Sequence, residues 1–348
     1  MSSPKPKKQD IFPQLRQDPI SKTLIVITPK RRARPEEFDQ SRIVKRKIVA
    51  KKKDCPFCEG NEAKFGNPTS LLEYPREGGK WSVRVIPNKY PAFLKSQKLK
   101  VKSPKLYVSQ PAIGSHEVII TYDHEDHTPK QPIWLVDEML KAYQERILDL
   151  KKDKKIKYVH IFVNEGDEAG ASIGHPHSQL VALTLIPEMI QKELDGVERY
   201  YKRFKKCIFC DIIKREQDQK ERVILENKNF ITIAPYFSRF PFEMWILPKE
   251  HQTSYEEIDE TRRRSLAEIL KYSLLKLDKG LGEPAYNHFI HTSPVNVSNQ
   301  KSAISNYHWH VEIFPRIDIW AGVELGIGVV FNTMVPKVAA EFLRKIKI

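Results

Sequence analysis

All four cysteines of this chain fall into two pairs of one form, Cys55-Pro-Phe-Cys58 and Cys207-Ile-Phe-Cys210. Paired thiols of this kind point to a metal site or a redox dithiol rather than to a structural disulfide framework. A structural zinc ion takes four ligands, so each pair demands two more, most often histidines. A redox dithiol would instead open a helix beside a thioredoxin-like βαβ unit. Each pair here is succeeded by a polar stretch and then a strand-like run, which favours the metal reading.

The succession of elements after each pair also recurs. Strand-like runs begin at Trp81 and at Phe230, and a second strand in each half ends on a histidine, His124 or His251. Amphipathic helices come next. Val136, Leu140, Tyr143, Ile147 and Leu150 recur at three to four residues in the first, as do Leu266, Ile269, Leu270, Leu274 and Leu277 in the second. Each half then has another strand (Tyr158 to Asn164; Tyr286 to His291), a loop, and a His-x-His: His175-Pro-His177 or His308-Trp-His310. Recurrence of all these features in order implies a duplicated α+β unit. The expected architecture is an antiparallel sheet flanked by helices, repeated with pseudo-twofold symmetry in one chain. We place the halves at residues 1–195 and 196–348, with the join near 195–206. Each half then supplies a complete zinc ligand set: Cys55, Cys58, His124 and His175, and Cys207, Cys210, His251 and His308. One or two zinc ions per chain are expected. His127, His160 and His288 have no counterpart pattern and read as ordinary surface or core histidines.

Composition narrows the class of protein. With 40% hydrophobic residues a core can form, and no apolar run approaches the ~20 residues of a membrane-spanning helix. The start, Met-Ser-Ser-Pro-Lys-Pro-Lys-Lys, lacks the apolar segment of a secretory signal, so a soluble cytoplasmic protein is expected. The net charge of +15 favours anionic partners. The lysine runs at 51–53 and 151–155 sit at element edges and read as solvated faces, so nucleic acid is not expected as the main partner.

The chemistry lies in the difference between the halves. Along a strand, residues i, i+2 and i+4 share a face, which groups His175, His177 and Gln179 if the strand persists across Pro176. A metal on His175 would fix the backbone and leave His177 aimed into a site. A neutral imidazole so held is a nucleophile toward an activated phosphoryl group, provided its other nitrogen is hydrogen-bonded. Gln179 can donate to a phosphoryl oxygen as charge builds there. The loop from Asn164 to Gly174 holds three glycines and Ser172, so its backbone N–H groups can approach a diphosphate. The second half has His308, His310 and Glu312 instead, and an ionised glutamate repels phosphate. Its preceding loop, Ser293 to Asn306, has no glycine. The first half is therefore expected to carry catalysis.

The run Asn164…Gly170-Ala-Ser172-Ile-Gly-His175-Pro-His177-Ser-Gln179 resembles the active-site signature of the galactose-1-phosphate uridylyltransferase family, in the histidine-triad superfamily. The likeness extends from Asp18 to Arg344 and includes Arg31-Arg-Ala-Arg34, Asn88, Asp123-His124, Pro248-Lys-Glu-His251 and Gly322-Val-Glu324. It implies two histidine-triad-like halves and a ping-pong reaction. His177 would attack the α-phosphorus of UDP-glucose, release glucose 1-phosphate and hold a uridylyl group, which galactose 1-phosphate then removes. Gln179 and Ser172 would hold phosphoryl oxygens. Asn88 and Asn164 would contact nucleotide or phosphates, Arg31 and Arg34 the nucleotide end, and Glu324 the hexose hydroxyls. The resemblance also implies a homodimer acting on a nucleotide sugar and a hexose 1-phosphate. Some relatives place a second metal on residues matching Glu193, His291, His310 and Glu312. We favour the cysteine set here, because thiolates hold zinc more strongly than lone carboxylates. The segment Gly322 to Gly328 departs from the sugar-contact stretch of the bacterial and animal enzymes, leaving the hexose and the acceptor open. Two rivals stand beside this reading. One is an adenylyl-preferring relative, an ADP-sugar or dinucleoside-polyphosphate phosphorylase, using the same histidine. The other, more remote, is a zinc-containing nucleic-acid-binding protein, for which His177 and Gln179 would have no use.

Overall fold

The computed structural model describes residues 13–28, 51–95, 106 and 111–348. Two short strands, β1 (Gln14–Gln17) and β2 (Leu24–Ile27), form a hairpin. The first half continues with α1 (Glu62–Phe65), β3 (Leu72–Arg76), β4 (Lys80–Pro87), β5 (Gly114–Thr121), α2 (Ile133–Leu150), β6 (Tyr158–Glu165) and β7 (His177–Leu183). Helices α3 (Glu188–Phe204) and α4 (Ile208–Gln219) lead to β8 (Val223–Glu226), β9 (Phe230–Ile233) and β10 (Met244–Pro248). Then come α5 (Glu260–Leu281), β11 (Tyr286–His291), α6 (Lys301–Ser305), β12 (His310–Pro315), α7 (Gly322–Ile327), β13 (Val330–Asn332) and α8 (Pro336–Lys345).

Ten strands make one antiparallel sheet in the order β3-β4-β5-β7-β6-β11-β12-β10-β9-β8. Outward from the β6–β11 seam, each side runs through its strands in corresponding order. This is an α+β fold with a large antiparallel sheet and flanking helices, as the sequence pattern implies. Hydrogen bonding crosses the seam, pairing Tyr286–Ile290 with residues 161–165, so both halves share one sheet. The pseudo-twofold and the division at 195/196 are proposals that this strand order motivates. A smaller sheet, β1-β2-β13, gathers the two ends of the described chain.

Alternation along the strands separates two cores. Met244 and Ile246 of β10 enter one apolar cluster, whereas Trp245 and Leu247 enter another, because successive strand residues face opposite sides. The first cluster lies under α2 and α5, whose heptad-like faces (Val136, Leu140, Tyr143, Ile147; Leu266, Leu270, Leu274, Leu277) are fully buried against it. Asp259 starts α5 by accepting the Arg262 backbone N–H, and Gly282 ends it at a φ of 77°. Behind the second half, the opposite face is covered by α3, α4 and the β1–β2 hairpin, with Leu194, Val197 and Phe209 buried there. In the first half that face is covered by the loop around Phe57, which packs on Trp81, Ile86, Val118 and Ile120. On this face β7 presents His177 and Gln179, while Leu180 and Ala182 point into the first core.

The stretch proposed as the join, 195–206, begins inside α3 and runs past its end at Phe204, and the amphipathic face of α3 (Ile190, Leu194, Val197) docks on the hairpin. Two features differ from the sequence expectations. Cys207 and Cys210 do open a helix, Cys207 standing at the N-cap of α4, although no βαβ unit accompanies them among the described residues. The strand does not persist across Pro176: β7 starts at His177, because proline has no N–H for the ladder. No helix among the described residues is long and apolar enough to cross a membrane.

Gly196 marks the closest approach of α3 to the hairpin, since a Cβ there would lie 2.1 Å from the Ile20 carbonyl oxygen. Neither backbone can yield cheaply, so Gly196→Ala is expected to destabilise the protein by about 1–3 kcal/mol, as overpacking does, measured by denaturant unfolding.

Candidate active site

His175 lies just outside β7, and its position is set from both ring nitrogens. Nε2 donates to the Thr121 carbonyl at 2.7 Å, which leaves the Nδ1 lone pair facing Cys55 Sγ at 3.4 Å and Cys58 Sγ at 3.7 Å. His124 Nδ1 joins from the turn after β5, 2.9 Å from Cys58 Sγ and 3.2 Å from His175 Nδ1. All four donor atoms lie within 4.8 Å of one another, and all four residues are buried. Two sulfurs and two imidazole nitrogens converging on a point, with the remaining nitrogen of His175 fixed by a carbonyl, form the donor set a tetrahedral zinc requires.

The second set is built alike. His308 Nε2 donates to the Pro248 carbonyl at 2.9 Å and His251 Nε2 to the Ser305 carbonyl at 3.1 Å, so both Nδ1 atoms are bare. Each of those Nδ1 atoms stands 3.6 Å from Cys210 Sγ, with Cys207 Sγ 4.0 Å from His308. This clip lies nearer the surface, since His251 is exposed. The structure also brings together Glu193, His291, His310 and Glu312, all buried. His291 Nδ1 contacts Glu193 at 2.9 Å, and Tyr307 donates to the same carboxylate. The two arrangements use different histidines, so they coexist.

His177 is held in one orientation. Its Nδ1–H donates to the His175 carbonyl at 2.8 Å, which assigns the lone pair to Nε2. Phe57 packs its ring edge against the imidazole at a centroid distance of 5.2 Å. Burial holds the His177 pKa below its usual value, which keeps the ring neutral. His177 lines a small cavity together with Asn164 and the loop of Gly166 and Gly174. Gly166 has φ 86° and ψ 159°, a conformation reserved for glycine, and Gly170 has φ 86°. Ser172 is exposed on this loop.

Two relays that the sequence pattern did not expose aim the amides. The Ala92 N–H donates to His116 Nδ1 at 3.2 Å, so the His116 proton is on Nε2, which donates to Gln179 Oε1 at 2.9 Å. With its oxygen taken, the Gln179 amide offers its NH2 as donor. Asn287 of β11 does the same for Asn164, donating to its Oδ1 at 2.9 Å and to the Ala169 carbonyl at 2.8 Å. Asn88 stands beside this network, 3.5 Å from Gln179 Oε1. His127, an ordinary histidine by sequence pattern, lines the His177 cavity. His160 and His288 are sheet histidines whose burial lowers each pKa to about 3.

The corresponding histidine in the second half is enclosed, although Glu312 two residues on lines a separate cavity with Arg239 and Glu193. His310 is fully buried between Trp245 and Phe209, at ring-centroid distances of 4.8 and 5.0 Å. Arg239 donates to Glu312 at 2.6 Å; burial alone would raise the Glu312 pKa, but Arg239 and His291 hold it well below the carboxylate range. Glu324 lies in α7, its carboxylate accepting the Ala321 and Phe331 backbone N–H groups at 2.9 and 3.2 Å. Arg31 and Arg34 lie outside the described residues.

Comparison with known proteins bears on this arrangement. The N-terminal domain of galactose-1-phosphate uridyl transferase matches residues 3–187, and its C-terminal domain matches residues 193–318. The chain belongs to this family. Among family relatives, it is 32% identical to an ADP-glucose phosphorylase of Arabidopsis thaliana over 97% of this chain and 93% of the relative. It is 27% identical to the galactose-1-phosphate uridylyltransferase of Thermotoga maritima over 96% of this chain and 99% of the other. The crystal structure of the Arabidopsis ADP-glucose phosphorylase with bound ADP-glucose superposes with a TM-score of 0.82 at 30% identity, covering 97% of this chain and 99% of that one. A uridylyltransferase structure gives 0.73 at 26% identity, over 95% and 97% of the two chains.

Proposed function

We propose that this member of the family is a nucleotidyltransferase that moves UMP from UDP-glucose to galactose 1-phosphate, or to a similar hexose 1-phosphate, through a covalent nucleotidyl-histidine on His177. The observation that carries the reading is the His177 ring: a hydrogen-bonded Nδ1–H and a bare Nε2 on the cavity beneath a glycine loop. In the first half-reaction Nε2 attacks the α-phosphorus, the bond to the bridging oxygen breaks, and the sugar phosphate leaves with the electron pair. The positive charge on the substituted imidazole is met by the His175 carbonyl, and the growing charge on the phosphoryl oxygens by the Gln179 NH2. Asn164 and Ser172 would add donors, Asn88 would steady the nucleotide, and Arg31, Arg34 and Glu324 would contact nucleotide and hexose. The second half-reaction reverses these steps with a new sugar phosphate.

In the same proposal, Cys55, Cys58, His124 and His175 would hold a zinc ion, which would anchor the backbone that leads into His177. Cys207, Cys210, His251 and His308 would hold a second ion, and the Glu193 cluster is an alternative second site. The enzyme would act as a cytoplasmic homodimer.

A second reading is favoured by the likeness to the ADP-glucose phosphorylase: the same histidine would take AMP from ADP-glucose, with inorganic phosphate as acceptor. Incubation with α-labelled UDP-glucose and ADP-glucose separates the two. The expected result is acid-labile label on the protein from UDP-glucose, discharged by galactose 1-phosphate. Label from ADP-glucose discharged by phosphate supports the second reading, and no label from either defeats both.

A further inference from the structure

Gln179, Asn164, Ser172 and the backbone N–H groups of the glycine loop are neutral donors, whereas a nucleotide sugar brings two charged phosphates to His177. Among the described residues, no lysine or arginine lines the His177 cavity. Charge-assisted hydrogen bonds to phosphate are roughly twice as strong as neutral ones, so a cation at the edge of this space matters. Arg316 stands there, brought from the second half. It follows β12 directly, and its backbone N–H donates to the Ala285 carbonyl at 2.7 Å, which sets it beside the start of β11. Asn287, from the same end of β11, holds Asn164 and Ala169. Arg316 Nε donates to the Glu168 carbonyl at 3.3 Å, and Glu168 adjoins Asp167, which lines the cavity. The guanidinium carbon lies 5.7 Å from the ring centroid of Phe240, which stacks in turn on Trp320 at 5.2 Å. The head group is thus held at Nε and against a ring, while Nη1 and Nη2 have no hydrogen-bond partner among the described residues. An arginine fork so placed suits bidentate recognition of phosphate.

We propose that Arg316 binds the phosphate exchanged at His177, the one that departs in one half-reaction and enters in the other. The ligand class is a phosphate monoester or inorganic phosphate. The proposal rests on the nucleotidyl-histidine reading and adds no covalent step to it. As the bond from the α-phosphorus to the bridging oxygen breaks, the electron pair ends on the departing phosphate, and the guanidinium meets that added charge. The second half therefore takes part in the chemistry. The strand that carries the enclosed His310 leads into the arginine that serves His177.

The test is rapid-quench labelling of the full chain with two kinds of donor at concentrations below saturation. α-Labelled UDP-glucose and ADP-glucose carry the second phosphate, and the labelled p-nitrophenyl esters of UMP and AMP lack it. Arg316→Met is expected to slow labelling from the nucleotide sugars by about 10- to 100-fold, and from the esters by less than about threefold. Arg316→Lys keeps the charge and loses the fork, so a smaller slowing confined to the nucleotide sugars is expected. It is also the test variant should Arg316→Met fail to fold. Arg316→Met labelled through an ester, then given galactose 1-phosphate or inorganic phosphate, is expected to discharge the label about 10- to 100-fold more slowly than wild type, because the same phosphate is entering. Equal slowing with both kinds of donor would mean that Arg316 only holds the glycine loop, and it overturns the proposal. Unchanged labelling from the nucleotide sugars overturns it too, with His177 still labelled. Absence of label on the wild-type chain with all four donors overturns the nucleotidyl-histidine reading instead.

Discussion

His177→Asn is expected to lower turnover by about four orders of magnitude or more and to leave no nucleotide on acid-quenched protein, since losing a covalent nucleophile has effects of that size. The substitution keeps a planar polar side chain with an N–H able to reach the His175 carbonyl, so the fold survives while the Nε2 lone pair is lost. Thermal unfolding within a few degrees of wild type would verify that. The pH profile gives an independent reading of the same ring. As the proposed nucleophile His177 would react when neutral, and burial lowers its pKa, so the neutral form persists below the ordinary imidazole value of about 6.5. The acid limb of labelling is accordingly expected below pH ~6.5, with loss of rate on further acidification. A limb well above that value, or label that persists in His177→Asn, would sink the assignment.

Cys58→Ser is expected to remove one metal ion per chain and several kcal/mol of stability, because a structural zinc site contributes binding energy directly to folding. Cys58 Sγ is the atom that meets both His124 and His175. Without the ion, the two imidazole nitrogens 3.2 Å apart lose what holds them together, and the Pro176 link passes the disturbance to His177. Labelling should fall by at least about tenfold, as loss of metal-site support does. The matching change at Cys207 should also cost one ion, with a much smaller effect on labelling, because its partners His251 and His308 do not adjoin the His177 cavity. Elemental analysis of the purified protein with unfolding curves decides the point. Unchanged metal content in Cys58→Ser would rule out the first clip.

The order of elements was readable in the chain because it is written in local periodicity. The three-to-four-residue spacing from Val136 to Leu150 emerges as α2 and that from Leu266 to Leu277 as α5, and strands appear in the expected runs, although β5 and β10 stop at Thr121 and Pro248, short of His124 and His251, which stand in the turns beyond. Helix α3 was not readable. Its apolar stripe of Ile190, Leu194 and Val197 is short, lies where no counterpart recurs in the other half, and takes its meaning from the β1–β2 hairpin packed on it. Both cysteine–histidine sets came together as four convergent donors, since matched spacing in two halves is a strong constraint.

The supporting shell was not readable, for a simple reason. His116 is 63 residues from Gln179, and Asn287 is 123 residues from Asn164, so no motif window holds either pair. They meet because β5 pairs with β7, and β11 with β6, in registers set by side-chain burial across the whole sheet. The local sequence alone determined which residues could carry chemistry: the thiol pairs, the two His-x-His strands, the glutamine and the glycine loop. Tertiary structure alone decided which imidazole is open and which is walled in. His177 faces a cavity, whereas His310 is pressed between Trp245 and Phe209. Exposure and tautomer depend on neighbours brought in from distant strands, and sequence spacing carries no record of them.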